Sequence, residues 1–226
     1  MRRPRALLPL FLAASLTSAA SSVWLPASAI ATPAGTTSLA PPLAAVLASI
    51  PPRAAAAPTG SELVAQLKSL SVEERERKLL EQLFAGNVPS FLRHLRPVKS
   101  QIKGAAGRSV EAVMWVMPDY LAVGSDSDFV RVPLGLDSAV SVARRFGCTL
   151  PTRKMVDTIY RQAERKVSPR PMTPGAEMTS IAYVLEHNRT IEAQLQGCTR
   201  GSLVSGDKKD VVLTRRLFDR PGKVAI

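Results

Sequence analysis

An α+β domain with a small, mainly antiparallel sheet packed with about five helices is what the 226-residue sequence predicts. Three observations predict it. Apolar residues recur at helical spacing before Gly86 and again after Asp137. Short β-prone runs separated by turn residues fill the stretch between Gly107 and Leu134. Ahead of Ser61 the composition is of another kind altogether, so an unstructured N-terminal region precedes the domain.

That N-terminal region divides in two. Arg2, Arg3 and Arg5 followed by an apolar block from Ala6 to about Leu16 form the n- and h-regions of a secretory signal, with small-residue cleavage patterns near Ala20 and Ala29. The basic cluster and continuous apolar block favour secretion over an organellar transit peptide. Residues 1–31 are therefore assigned as a signal peptide and the protein as secreted or periplasmic. The apolar run is interrupted by Pro9 and too short to span a bilayer, so no transmembrane segment is expected. Residues 32–60, rich in Pro and Ala, read as a stiff linker. Within them, the apolar patch Leu43 to Ile50 allows a short helix instead.

The domain, residues 61–226, begins where the charge balance changes. Glu62 is the first acidic residue, and only Arg2, Arg3, Arg5 and Arg53 of the 30 basic residues precede it. The domain thus keeps 26 cations against 18 anions. Such a surplus on an exported domain suits anionic envelope polymers, although solubility alone explains it equally well. Only two tryptophans are present, one of them in the leader, which argues against base stacking and sequence-specific nucleic-acid recognition.

The elements follow in order. Ser61 caps a helix through Leu63, Val64, Leu67 and Leu70. Ser71-Val72-Glu73-Glu74 is a capping-box pattern opening a second helix that Gly86 stops. Phe91, Leu92 and Leu95 form a small apolar cluster ended by Pro97. Ser109 to Met117, Tyr120 to Gly124 and Asp128 to Leu134 read as three strands of an antiparallel meander. Asp137 caps a helix that Gly147 terminates, and a longer helix runs from Thr152 to about Val167 on a 3.6-residue apolar period. Ser168 to Glu177 is a loop with three prolines. A last helix covers Met178 to Gln196, and Val211 to Leu213 is a strand.

Two cysteines could carry chemistry. In an oxidising compartment Cys148 and Cys198 suit a disulfide, whose loop of about fifty residues would contribute roughly 4 kcal/mol in the chain-entropy account. Two unrelated thiols are the second reading. The third is a nucleophilic Cys148, its thiolate favoured by the N-terminus of the following helix and by Arg144, Arg145, Arg153 and Lys154. A cysteine hydrolase needs a base, and only His94 and His187 are available; an exposed or partly packed histidine is the plainer reading of each. Arg153, Lys154, Arg161 and Arg165, with Lys208 and Lys209 in "GDKKD", are the candidate anion-binding residues. Asp126 and Asp128 supply too few oxygens for calcium and read as a solvated turn, so no metal and no cofactor is expected. Asn188-Arg189-Thr190 matches a glycosylation acceptor but falls in a predicted helix.

The motifs "FLRHLRPV", "PDYLAVGSDSDF", "RFGCTLPTRKMVDTIY" and "SGDKKDVVLTRR" together resemble a family of uncharacterised secreted bacterial proteins, over about Phe91 to Ile226. The resemblance implies a histidine-containing segment beyond Ile226, so that 61–226 would be a truncated member. It also implies a dependable Cys148 and a less dependable Cys198. More distantly, a cysteine before a helix and a Gly-Asp turn before a strand are similar in order to papain-like cell-wall endopeptidases. What that implies is a thiol-dependent cell-wall hydrolase in which Cys148 attacks an amide carbonyl. The alternative is a non-catalytic basic module that binds anionic envelope polymers.

Overall fold

The computed structural model describes residues 8–9, 13–17, 41–103, 107, 109–173 and 175–206. It is an α+β fold. Two short strands, β1 (Leu8–Pro9) and β2 (Ala13–Thr17), precede helices α1 (Pro41–Ser49), α2 (Gly60–Leu67) and α3 (Val72–Phe84). A 3-10 turn at Ser90–Arg93 leads into β3 (Arg96–Lys103) and β4 (Ser109–Val116). Strands β5 (Ala122–Gly124), β6 (Phe129–Arg131) and β7 (Pro133–Leu134) follow, then α4 (Leu136–Arg145) and β8 (Cys148–Thr149). The chain continues through α5 (Arg153–Gln162), β9 (Arg165–Val167), α6 (Ile181–Gln194) and β10 (Val204–Gly206).

Local chemistry sets the helix starts. Thr59 accepts from the Glu62 amide while the Glu62 carboxylate accepts from Thr59 N, so the cap lies two residues before the expected Ser61. Ser71 and Glu74 make the same reciprocal pair at the start of α3, as predicted. Ser61 instead donates to Asp128, whose carboxylate also takes the Ser61 amide at 3.0 Å. The Ser90 amide and hydroxyl donate to Asp126 at 2.6 and 2.5 Å. The two aspartates of "GSDSDF" are thus helix-start acceptors that fasten the β5–β6 turn to α2 and to the 3-10 turn.

The largest core cluster joins α2, α3, β5, β6 and α4 through Leu63, Leu83, Val123, Phe129, Val142 and Ala143. Ile50 belongs to the same cluster and Val46 is buried beside it. The expected linker 32–60 is therefore part of the fold from α1 onward. Its prolines lack N–H groups, but its carbonyls are taken by arginine. Arg93 donates to Ile50 O (2.9 Å), Pro51 O (2.7 Å) and Gly86 O (3.0 Å). Arg53 donates to Asn87 Oδ1 at 2.8 Å and to Ala57 O at 2.6 Å. Gly86, at φ +77°, lets this segment pass: a Cβ there would lie 2.0 Å from Pro51 O.

The expected three-stranded meander is absent among the described residues. β4 pairs in antiparallel register with β3 over eight positions, from Arg96↔Val116 to Lys103↔Ser109. Its other edge is taken by β2, so β5 and β6 form a hairpin of their own. The four-stranded order is β3-β4-β2-β8. Pro97, read as a terminator, sits within β3. Prolines are tolerated on edge strands, and β3 is an edge.

The helix expected to reach Val167 ends at Gln162. Ala163 turns to φ −59°, ψ 130°, and Arg165–Val167 becomes β9, paired in parallel with β10. A parallel pair needs a crossover, and α6 supplies it. Val167, Ile191, Leu195 and Val204 close a small core between them. Met178, expected to be buried, is 53 % exposed, because Ser180 caps α6 three residues later than the sequence suggested. The strand expected at Val211 to Leu213 lies outside the described residues. No helix of the described residues is long and apolar enough to cross a membrane.

Candidate functional site

Cys148 follows α4 directly, after Gly147 has reversed the chain at φ +64°. Its two-residue strand packs on α4 and β2, and the side chain leans on the main core. The thiol donates to Phe146 O at 3.4 Å. Burial pushes its pKa up to about 12. That is the reverse of what a nucleophile at neutral pH requires, since only the thiolate attacks. The thiol lies four residues ahead of the N-cap of α5, where Thr152 Oγ1 accepts from Met155 N at 3.4 Å. The basic residues adjacent in sequence do not offset the desolvation.

Of the readings open for the two cysteines, the disulfide is not the one found: Cys148 and Cys198 are both free thiols. Cys198 Sγ accepts from Arg165 Nε at 2.8 Å and packs on the small core under α6. His187, the expected base, is half-buried on α6, which packs on β6 and on the 3-10 turn at Ala176–Thr179, whereas Cys148 packs with α4 and β2. A surface cavity of about 510 Å³ is lined by Ile50, Pro52, Arg53, Ser90, Arg93 and Asp126 among others, and neither Cys148 nor His187 lines it. The guanidinium donors of Arg53 and Arg93 inside it point back into carbonyls of the chain.

The candidate anion-binding residues fare differently. α5 buries Thr158 and Ile159 and turns Arg153, Lys154, Tyr160 and Arg161 outward; Arg165 and Lys166 continue the exposed run into β9. Lys154 Nζ donates to Gln101 O at 3.2 Å, and the Gln162 side chain brackets Lys99, accepting from its amide and donating to its carbonyl. These bonds hold the helix against β3. Lys166 stands over the Tyr160 ring, 5.3 Å from its centroid. The acids on this surface are few. Asp157 lies 3.9 Å from Arg153, and Glu164 is held by Arg96 at 2.5 Å. Burial raises the Glu164 carboxyl, but the Leu203 amide, Ser202 and Arg96 together carry it below its ordinary value. Lys208 and Lys209 lie outside the described residues.

One charged constellation has no counterpart in the sequence pattern. Arg131, flanked by Val130 and Val132, is 3 % exposed. Its fork grips Asp119 through both Nη2 and Nε, the latter at 3.1 Å, and Nη1 reaches Glu192 at 2.6 Å and Asn188 at 3.2 Å. The guanidinium also stacks 5.2 Å from the Phe129 ring centroid, and Arg200 covers the same ring at 4.8 Å while holding Glu192 at 2.6 Å. Burial depresses the Arg131 pKa, yet Asp119 and Glu192 more than reverse this and raise it. Each donor and acceptor named here is matched, which marks a structural hub rather than a binding site. No group of three or more metal-ligating side chains occurs among the described residues.

Compared with known protein families, curated proteins and solved structures, the chain matches none.

Proposed function

We propose that the protein is a secreted or envelope-associated basic module, without catalytic activity of its own, that binds anionic polymers through the outer face of α5 and β9. The single observation that carries this reading is the exposed run Arg153, Lys154, Arg161, Arg165 and Lys166 around Tyr160, mounted on a helix whose opposite face is anchored in the core. Cations fixed on a rigid element raise the local concentration of a polyanion without a pocket. The hydrolase reading of Cys148 loses its support, because its thiol is packed, protonated and bonded to a carbonyl. The basic leader and small-residue patterns of residues 1–31 support export.

Binding of the full-length protein to long-chain inorganic polyphosphate tests the proposal. Arg161→Glu/Lys166→Glu should weaken binding by about tenfold or more at low salt, and wild-type binding should fall steeply as salt screens it. Arg189→Glu, reversing an exposed cation on α6, should leave it within about twofold. Equal binding by all three proteins would refute the assignment of the face.

A further inference from the structure

The cavity beside the end of α1 shares no residue with the polymer-binding face, so its chemistry is independent of that reading. At about 510 Å³ it has the size of a small-molecule site. Its lining is of two kinds. Leu47, Ala48, Ile50 and Val88 are aliphatic, whereas Arg53, Arg93 and Asp126 bring charge.

Those charges do not cancel. Arg93 gives Nη1 and Nη2 to the carbonyls of Ile50, Pro51 and Gly86. Arg53 gives Nε to Asn87 and Nη2 to the carbonyls of Ala57 and Pro58, and no bond among the described residues takes its Nη1. Asp126 accepts from the amide and hydroxyl of Ser90 instead. No ion pair among the described residues joins either arginine to a carboxylate. Carbonyls satisfy N–H groups but leave the positive charge in place, and both side chains are half-buried. Burial lowers the Arg93 pKa, and the charge of Asp126 only partly offsets this. The lining thus holds two cations, fixed by the backbone, against a single carboxylate.

We propose that this cavity binds a small amphipathic monocarboxylate, its aliphatic tail against Leu47, Ile50 and Val88 and its carboxylate on Arg53 and Arg93. A guanidinium already oriented by carbonyls loses little freedom when a carboxylate arrives, and its planar fork matches that group. Asp126 sets the charge of the ligand. A monoanion balances the excess, a phosphate monoester dianion overshoots it and meets the aspartate's repulsion, and a cation faces two arginines.

Octanoate is the probe, titrated into the full-length protein and followed by ligand-observed NMR at about pH 8, where a phosphate monoester is a dianion. It should bind with a Kd of about 1 mM or tighter. Octanol, acetate and octyl phosphate, which lack the charge, lack the tail or carry too much charge, should each bind at least about tenfold more weakly. Absence of octanoate binding, or octanol binding as well as octanoate, would overturn the proposal.

Two variants locate the site. Ala48 is exposed, so Ala48→Trp fills the cavity from its rim and should weaken octanoate about tenfold or more. Asp126→Asn keeps an acceptor for Ser90 but removes the repelling charge, and should tighten octanoate about threefold and octyl phosphate by more. Arg161→Glu/Lys166→Glu, on the polymer-binding face, should leave octanoate within about twofold. Unchanged affinity in Ala48→Trp, or a loss confined to the α5 variant, would overturn the location. If circular dichroism shows Ala48→Trp unfolded, Asp126→Asn decides alone: tighter octanoate supports the site, and equal or weaker octanoate refutes it.

Discussion

Replacing Arg131 with methionine probes the centre of the fold. The guanidinium is 3 % exposed and Asp119 is 5 % exposed, so the substitution leaves a carboxylate out of water with the Tyr120 amide, at 2.7 Å, as a remaining donor. Breaking a buried pair from one side costs about 3–5 kcal/mol. Glu192 adds less than about 1 kcal/mol, because it is part-exposed and keeps Arg200. Methionine preserves most of the packing volume against Phe129. The sum, about 4 kcal/mol, is close to a thousandfold in the folding equilibrium and a large share of the 5–15 kcal/mol typical of a domain. Urea unfolding at pH 7, followed by circular dichroism, measures it. Asp119→Asn/Arg131→Met should be more stable than Arg131→Met alone, since the lone charge is gone. A loss under about 1 kcal/mol, or a double variant no better than the single one, would refute the view that an uncompensated buried carboxylate sets the cost.

Three further outcomes follow from local geometry. Gly86→Ala should destabilise by about 2 kcal/mol or more in the same assay, because a Cβ would meet Pro51 O at 2.0 Å and φ is positive. Iodoacetamide should alkylate Cys148 in the native protein at neutral pH about a thousandfold more slowly than in the urea-unfolded chain, as follows from a pKa raised from 9.0 to about 12; mass mapping that finds comparable rates would show a reachable thiolate. Glu192 has its carboxyl lowered overall: burial raises it, and the bonds from Arg200 and Arg131 outweigh burial. Its contribution is therefore present above the ordinary value of 4.5 and is lost as pH falls through the lower folded value. Acid titration of stability should accordingly be shallower below pH 4.5 in Glu192→Gln than in wild type.

Helices whose ends are written in side chains were legible in the sequence. Ser71 with Glu74, and Gly86 and Gly147 as terminators, state their roles within a few residues, because capping and left-handed turns are local chemistry. Strand partners were not legible. Nothing in "SVEAVMWVM" says whether β4 will meet β5 nearby or β3 and β2, since pairing depends on which edges the rest of the fold leaves open. Val167 continues a helical apolar period yet lies in a strand, because β10, far along the chain, offers it a parallel partner. The basic face of α5 was readable from its period, whereas the inward Arg131 was not. An arginine between two valines in a strand reads as the solvent-facing residue of an alternating pattern, and only the positions of Asp119 and Glu192 reverse that. Cys148 misled for the same reason: cations nearby in sequence do not reveal that the sulfur is buried.

The arginine-held stretch after α1 fixes where this domain can be cut. A recombinant fragment beginning at Ser61 would lack the carbonyls of Ile50 and Pro51, leaving Arg93 with Gly86 O alone of its three acceptors, and would withdraw Ile50 from its hydrophobic neighbours. A fragment beginning at Pro41 keeps these partners. Expression trials that trim at the change in charge composition would thus discard a piece of the interior with what reads, on paper, as a tether.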